Sequence, residues 1–141
     1  MVTTVAVGVD GSATAAEAVK MAAEVARRFE AELVLLSAYK HADGKGPGHG
    51  GNAELEWATS SSSRQREVVA RTRERLRQEG VRCRTLAEEG NPSDVLVRLA
   101  KKCGADILVV GNKGMQRRAL GSIPNSVTHQ AECSVLVVKT T

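Results

Sequence analysis

VVGNKGMQRRALGSIPNSV, residues 109–127, carries the chain from the end of an apolar run to the start of a helix. Val109 and Val110 close the run, Gly111 and Gly114 follow three apart, and Gly121-Ser122 leads into the helical stretch. Two readings are open. Backbone N–H groups bind phosphate only where no side chain blocks the approach, which the glycines provide. Lys113, Arg117 and Arg118 add positive charge at the rim, and Ser122 adds a hydroxyl, an N-cap and the positive end of a helix dipole. Alternatively Gly111 and Gly114 make the turn and Gly121 relieves crowding at the helix start. Neither G-x-x-x-x-G-K-[ST] nor G-x-G-x-x-G is present, so spacing alone leaves the two readings level.

Working outward from this loop, apolar runs alternate with helical periodicity. Residues 4–9 (TVAVGV) read as a buried strand stopped by Asp10-Gly11-Ser12. Over residues 13–30, Ala15, Ala18, Val19, Ala22, Val25, Ala26 and Phe29 recur at helical spacing. Residues 32–39 are a second continuous apolar strand, followed by a glycine-rich loop at 41–54, a feature expected to be mobile. A long helix is predicted from about Leu55 to Gln78, stopped by Gly80. Residues 82–88 alternate as a more exposed strand. Asn91 caps a helix with Pro92 in its first turn, which runs to Lys102. Residues 106–110 form a third apolar strand, 124–131 a short helix and 134–139 a last strand. Such alternation implies one α/β domain over residues 1–141, with a doubly wound parallel sheet and right-handed crossovers.

In such a sheet ligands sit beyond the carboxyl ends of the strands, where the strand order reverses. In a flavodoxin-like order that point lies between the first and fourth strands. Asp10-Gly11-Ser12 and the loop after Val110 therefore face one crevice, with Ala38 and Tyr39 as a wall. Asp10 is placed to meet a ligand there, or to make an Asx turn and cap the first helix.

Composition narrows the class. The 141 residues are 42% hydrophobic but only 2% aromatic, so the core is built from Val, Leu, Ile and Ala. Lys and Arg exceed Asp and Glu by 20 to 16, a net +4 that favours anionic ligands without announcing nucleic acid. The arginines between residues 64 and 78 interleave with Glu67, Glu74 and Glu79, and Glu67 stands four before Arg71, which reads as a salt-bridged outer face. No stacking aromatics accompany them, and no nucleic-acid partner is expected. Cys83, Cys103 and Cys133 form no pair motif, indicating reduced thiols in a cytoplasmic setting. Arg82 and Arg84 flank Cys83 and are expected to lower its pKa. Ser60 to Ser63 read as the flexible start of the long helix. His41, His49 and His129 lie without further ligands at set spacings, so no metal site is expected. No stretch has the length and apolarity of a membrane span, and no membrane partner is expected.

The first strand ending VGVDGS, the late VVGNKG, then GSIPNSV and the closing CSVLVV together resemble the universal stress protein family, from about residue 3 to residue 139. The resemblance implies a Rossmann-like, adenine nucleotide alpha hydrolase-like sheet of five parallel strands in the order 3-2-1-4-5. It also implies a homodimer through the last strand and, in many members, ATP or AMP in the crevice, with Mg²⁺ as a possible companion. By position, Asp10 and the backbone at Ala38 hold the adenosine end. Gly111, Lys113 and Gly114 approach ribose and phosphate, and Gly121, Ser122 and Ile123 cap the phosphates. The chain departs from the ATP-binding pattern in one respect: six residues, not nine, separate Gly114 from Gly121. Three fewer residues remove up to roughly 10 Å of reach.

No nucleophile and base pair can be assembled, and no second acidic residue is placed by motif to hold Mg²⁺. The leading expectation is a nucleotide-binding stress-response or signalling module that acts as a dimer, with an unidentified protein partner. A slow ATPase in the same crevice and a nucleotide-free interaction protein are the alternatives. The apolar last strand lies at an edge, which invites pairing with a second copy through Val135, Leu136, Val137 and Val138.

Overall fold

The structure, a computed structural model, describes residues 1–40, 52–112 and 120–139, with side chains of the second helix from residue 62 onward. Five strands and four helices alternate: β1 (Thr4–Gly8), α1 (Ala13–Phe29), β2 (Glu32–Tyr39), α2 (Asn52–Gln78), β3 (Cys83–Glu89), α3 (Pro92–Lys102), β4 (Ile107–Asn112), α4 (Ser122–Gln130) and β5 (Ser134–Lys139). All strand pairs are parallel and the order is β3-β2-β1-β4-β5, as expected. The winding reverses between β1 and β4.

Strand side chains alternate between faces, so each central strand feeds two cores. Val5, Val7, Leu33, Leu35 and Val109 pack beneath α1 and α2, whereas Ala6, Val34, Leu36 and Leu108 pack beneath α3 and α4. Helix α1 buries Ala15, Ala18, Ala22, Ala23 and Ala26, whose small side chains let its axis come close to the sheet. It starts where Ser12 Oγ accepts from Ala15 N at 3.1 Å and stops at Glu30, which turns left-handed at φ +56°. Asn91 Oδ1 accepts from Ser93 N at 3.1 Å and caps α3, with Pro92 in its first turn, as read from the sequence. The Glu67–Arg71 pair forms on the outer face of α2.

Three boundaries differ from expectation by two residues or more. Helix α2 begins at Asn52, inside the loop predicted over 41–54, because Ala53, Glu54 and Leu55 favour helix as soon as the glycines end. Residues 41–51 of that loop lie outside the described residues. Strand β4 continues through Gly111 and Asn112, which pair with Val138 and Lys139 instead of opening a loop. Helix α4 begins at Ser122, two residues before Pro124. A proline is tolerated there because first-turn N–H groups have no acceptor within the helix.

Candidate functional site at the switch point

A cleft of about 1110 Å³ opens beyond the carboxyl ends of β1 and β4. Its walls include Asp10, Ala38, Gly111, Gly121, Ser122 and Ile123, six residues singled out from sequence and brought together by the fold. Lys113 and Gly114, also singled out, lie outside the described residues.

The β2 wall owes its character to where β1 stops. Val9 N donates to Leu36 O at 2.8 Å, the last bond between the two strands, and β1 then turns away. In a parallel pair a residue directs both its N–H and its C=O to one neighbour, and residues two apart point the same way. Ala38 therefore turns both groups toward the space that β1 has vacated, and no described backbone group meets either one. Tyr39 faces the other way, its carbonyl accepting from Gly90 N at 2.9 Å. The cleft thus presents one donor and one acceptor, side by side on a fixed strand end.

The turn after β1 is held by Asp10, whose Oδ1 accepts from Ser12 N at 2.9 Å and from Ser12 Oγ at 2.6 Å. This is the Asx turn weighed from sequence, but the helix cap belongs to Ser12. Asp10 Oδ2 has no hydrogen-bond partner among the described residues and the side chain is exposed. Gly11 sits at φ +86° with the Val68 side chain against it, so the turn needs a residue free to adopt that conformation.

The opposite wall is the N-terminus of α4. The N-cap is Gly121, not Ser122 as expected, and it makes no side-chain cap bond. Ser122 is the first helical residue. Gly121 N donates to Asn112 Oδ1 at 2.8 Å and Pro124 has no N–H, leaving Ser122 N–H and Ile123 N–H as first-turn donors without a described partner. Two amides at the positive end of a helix dipole are suited to one anionic group. The buried Asn112, which the sequence analysis did not single out, pins the end of β4 to the start of α4.

Gly111, besides lining the cleft, answers a packing constraint that the sequence did not show. A Cβ there would lie 2.4 Å from Thr14 Cγ2 and 2.6 Å from Thr14 O, so its missing side chain makes room for the first turn of α1. Sequence reading also missed Arg64, Gln65 and Val68, which α2 brings to the mouth of the cleft, and Lys40 beyond β2. Their signal is long-range packing, which no local pattern carries. Ser37 Oγ contacts Gln65 Oε1 at 3.5 Å and ties α2 to β2 beside the cleft.

Among the described residues no cluster of His, Cys, Asp or Glu is arranged to hold a metal ion. The exposed His129 lies on α4, and His41 and His49 are outside the described residues. Partial burial raises the pKa of all three thiols. At Cys83 this overrides the lowering expected from Arg82 and Arg84, and the opposing charge is that of Arg73. No described helix is long and apolar enough to cross a membrane.

Fold and cleft together define a doubly wound α/β protein with a ligand crevice at its switch point. The model of the universal stress protein family matches residues 1–139. A universal stress protein of Mycobacterium tuberculosis is 35% identical over 150 residues, covering 98% of this chain and 97% of that protein. One of Methanocaldococcus jannaschii is 32% identical over 136 residues, covering 92% and 78%. The crystal structure of a universal stress protein in complex with cAMP matches with a TM-score of 0.77 at 29% identity, covering 99% of both chains. A family member from Arabidopsis thaliana, with AMP bound, has the same fold, with a TM-score of 0.74 at 20% identity over 99% of this chain and 92% of that one. The chain belongs to the universal stress protein family.

Proposed function

We propose that the cleft binds an adenine nucleotide, with the base on the β2 wall and the phosphate at α4. The observation that carries this reading is the pair of backbone sets at the two ends of one cleft that have no partner among the described residues. The N–H and C=O of Ala38 match the acceptor and donor on the edge of an adenine ring, and Ser122 and Ile123 N–H match phosphate oxygens. Arg64 and Lys40 outnumber Asp10 among the charged lining residues, which favours an anionic ligand. The cAMP complex of the structural relative supports the same ligand class. Gly111 would allow close approach of the ribose, and Lys113 and Gly114 would complete the phosphate end.

ATP and AMP are both within this reading. Asp10 is the one carboxylate among the described residues lining the cleft, and its Oδ2 is available to meet Mg²⁺ carried in on phosphate oxygens. Bound there, the ion would neutralise phosphate charge. No described side chain is positioned as a general base for an attacking water, so we assign a binding and signalling role, with hydrolysis slow at most. The protein would act in the cytoplasm as a homodimer joined along β5, its nucleotide state altering the surface shown to a protein partner.

Protein purified without added nucleotide, then denatured, should release an adenine nucleotide identifiable by mass spectrometry and ultraviolet absorbance. Retention should be lost on Gly114→Arg with the fold intact. An empty protein that also ignored added ATP, AMP and cAMP in calorimetry would leave the nucleotide-free interaction protein as the better reading. Magnesium-dependent phosphate release abolished by Asp10→Ala would instead establish the ATPase.

A further inference from the structure

A second groove, of about 950 Å³, lies between α2 and the outer strands; it meets the nucleotide cleft at Tyr39 and Gln65, and its other lining residues have no part in the nucleotide reading. Arg66, Arg73 and Arg77 line it from one side of α2, at i, i+7 and i+11, positions that a 3.6-residue repeat stacks in one row. That row is about 16 Å long. Glu74 pairs with Arg77. Arg66 and Arg73 have no acidic partner among the described residues, so the groove holds uncompensated positive charge.

The floor of the groove is β2 and β3, through Ser37, Thr85 and Ala87. Strand β3 is the edge of the sheet, and no described strand pairs with its outer side. Parallel pairing with β2 uses the backbone groups of Arg84, Leu86 and Glu88, because Leu33, Leu35 and Ser37 face β3 in the register Leu33↔Cys83, Leu35↔Thr85, Ser37↔Ala87. The N–H and C=O groups of Thr85 and Ala87 consequently point outward, with no backbone partner among the described residues. An unpaired edge beside a groove is a template for an added strand.

We propose that the β3 edge and the α2 arginine row form a docking surface for an extended segment of a protein partner with acidic residues at alternate positions. Side chains of an added strand alternate between the two faces of the sheet. On the α2 face they would meet Arg66 and Arg73. On the other face the charges are already matched, Arg84 with Glu32 and Arg98 with Glu88, so neutral residues are required there. A row of about 16 Å spans about five extended residues, within the seven of β3. A compact anion such as phosphate would engage one arginine and leave the rest of the row unused, which is why a strand is the better occupant.

The test uses the full chain and a fluorescent, end-blocked heptapeptide, Glu-Thr-Glu-Val-Glu-Thr-Glu. An isomer with its four Glu contiguous is the control, and anisotropy is read at low salt. The alternating peptide should bind and the isomer should bind about tenfold more weakly or worse. Arg66→Glu combined with Arg73→Glu should weaken binding by about tenfold or more, given two lost pairings and added repulsion. Thr85→Pro removes an outward N–H at an edge position that tolerates proline, and should weaken binding similarly. Amide exchange of Thr85 and Ala87 should slow in the wild-type complex, a readout independent of how well the proline variant folds. The proposal is overturned by absence of binding, by equal binding of the two peptides, or by unchanged exchange at the edge. It is equally overturned if inorganic pyrophosphate displaces the peptide and binds the proline variant as well as the wild type, which would make the groove a small-anion site.

Discussion

Gly111 illustrates how one residue type serves two purposes that look identical in sequence. Glycine after an apolar strand fits a phosphate loop and fits a close approach between elements equally well. Only the 2.6 Å gap between a notional Cβ and Thr14 O shows that the helix–strand contact already requires it. Gly111→Ala should therefore lower unfolding free energy by at least about 2 kcal/mol in urea denaturation, because backbone cannot yield as a flexible side chain does. Asp106 is a second single-residue anchor. Its Oδ2 accepts from Thr3 N at 2.8 Å and Thr4 N at 3.0 Å, fixing the start of β1 to the start of β4. The Thr3 and Thr4 amides hold its pKa below the usual Asp value. The depressed folded value means that the unfolded chain binds more protons in acid. The stabilisation is thus complete above the unfolded pKa of about 4 and disappears as pH falls through the lower folded value. Asp106→Asn should flatten the acid limb of a plot of stability against pH, measured by urea titrations between about pH 2 and pH 6.

At the scale of elements, helix α4 offers a test of the proposed phosphate end of the cleft that leaves the fold undisturbed. Ser122 is its first residue, where proline is favoured, and its N–H donates to nothing described. Gly121 before it is extended at φ −63° and ψ 171°, the conformation a following proline requires. Ser122→Pro should leave thermal stability within about 0.5 kcal/mol of wild type. Its nucleotide affinity in calorimetry should fall about tenfold, the loss expected for one N–H bonded to a charged group. Unchanged affinity would move the phosphate away from α4. Strand and helix positions and the cap at Asn91 were legible in the sequence, because alternation, glycine stops and capping residues are local signals. The strand order came with the family resemblance, and the cap at Ser12 was hidden behind Asp10, an equally good capping residue two positions earlier. The meeting of Asp10 with Gly121 was legible from topology alone. The shift of the α4 cap from Ser122 to Gly121 was not, because a proline two residues on suits either start. Arg64 and Gln65 were illegible for another reason: nothing in the helix from residue 52 to 78 encodes which strand ends its middle turns will overhang.

The molecule as a whole places its two exposed sheet edges on opposite flanks, β3 with polar and charged residues and β5 with Val135, Leu136 and Val137 half-buried. Half-buried aliphatic side chains on a free edge are a liability for a lone chain and an asset for a symmetric pair. Light scattering should give twice the chain mass of 15.0 kDa for the wild type and a single chain mass for Leu136→Lys. A wild-type monomer, or a dimer indifferent to the lysine, would sink pairing through β5. On these proposals the two flanks would divide the labour, with self-association on one side, an acidic partner on the other, and the candidate nucleotide cleft between them.

The bond from Gly121 N to Asn112 Oδ1 closes a ring of chain around residues 113–120. With both ends clasped, the intervening sequence is a replaceable cassette: its closing entropy depends only on the logarithm of its length. Lengthening it by three residues, to the nine-residue spacing of the ATP-binding pattern set out above, would cost about 0.3 kcal/mol. If the proposed nucleotide reading holds, a lineage could in this way change how many phosphates the cleft admits by insertion or deletion there, while the sheet, the helices and the β2 wall are inherited unchanged.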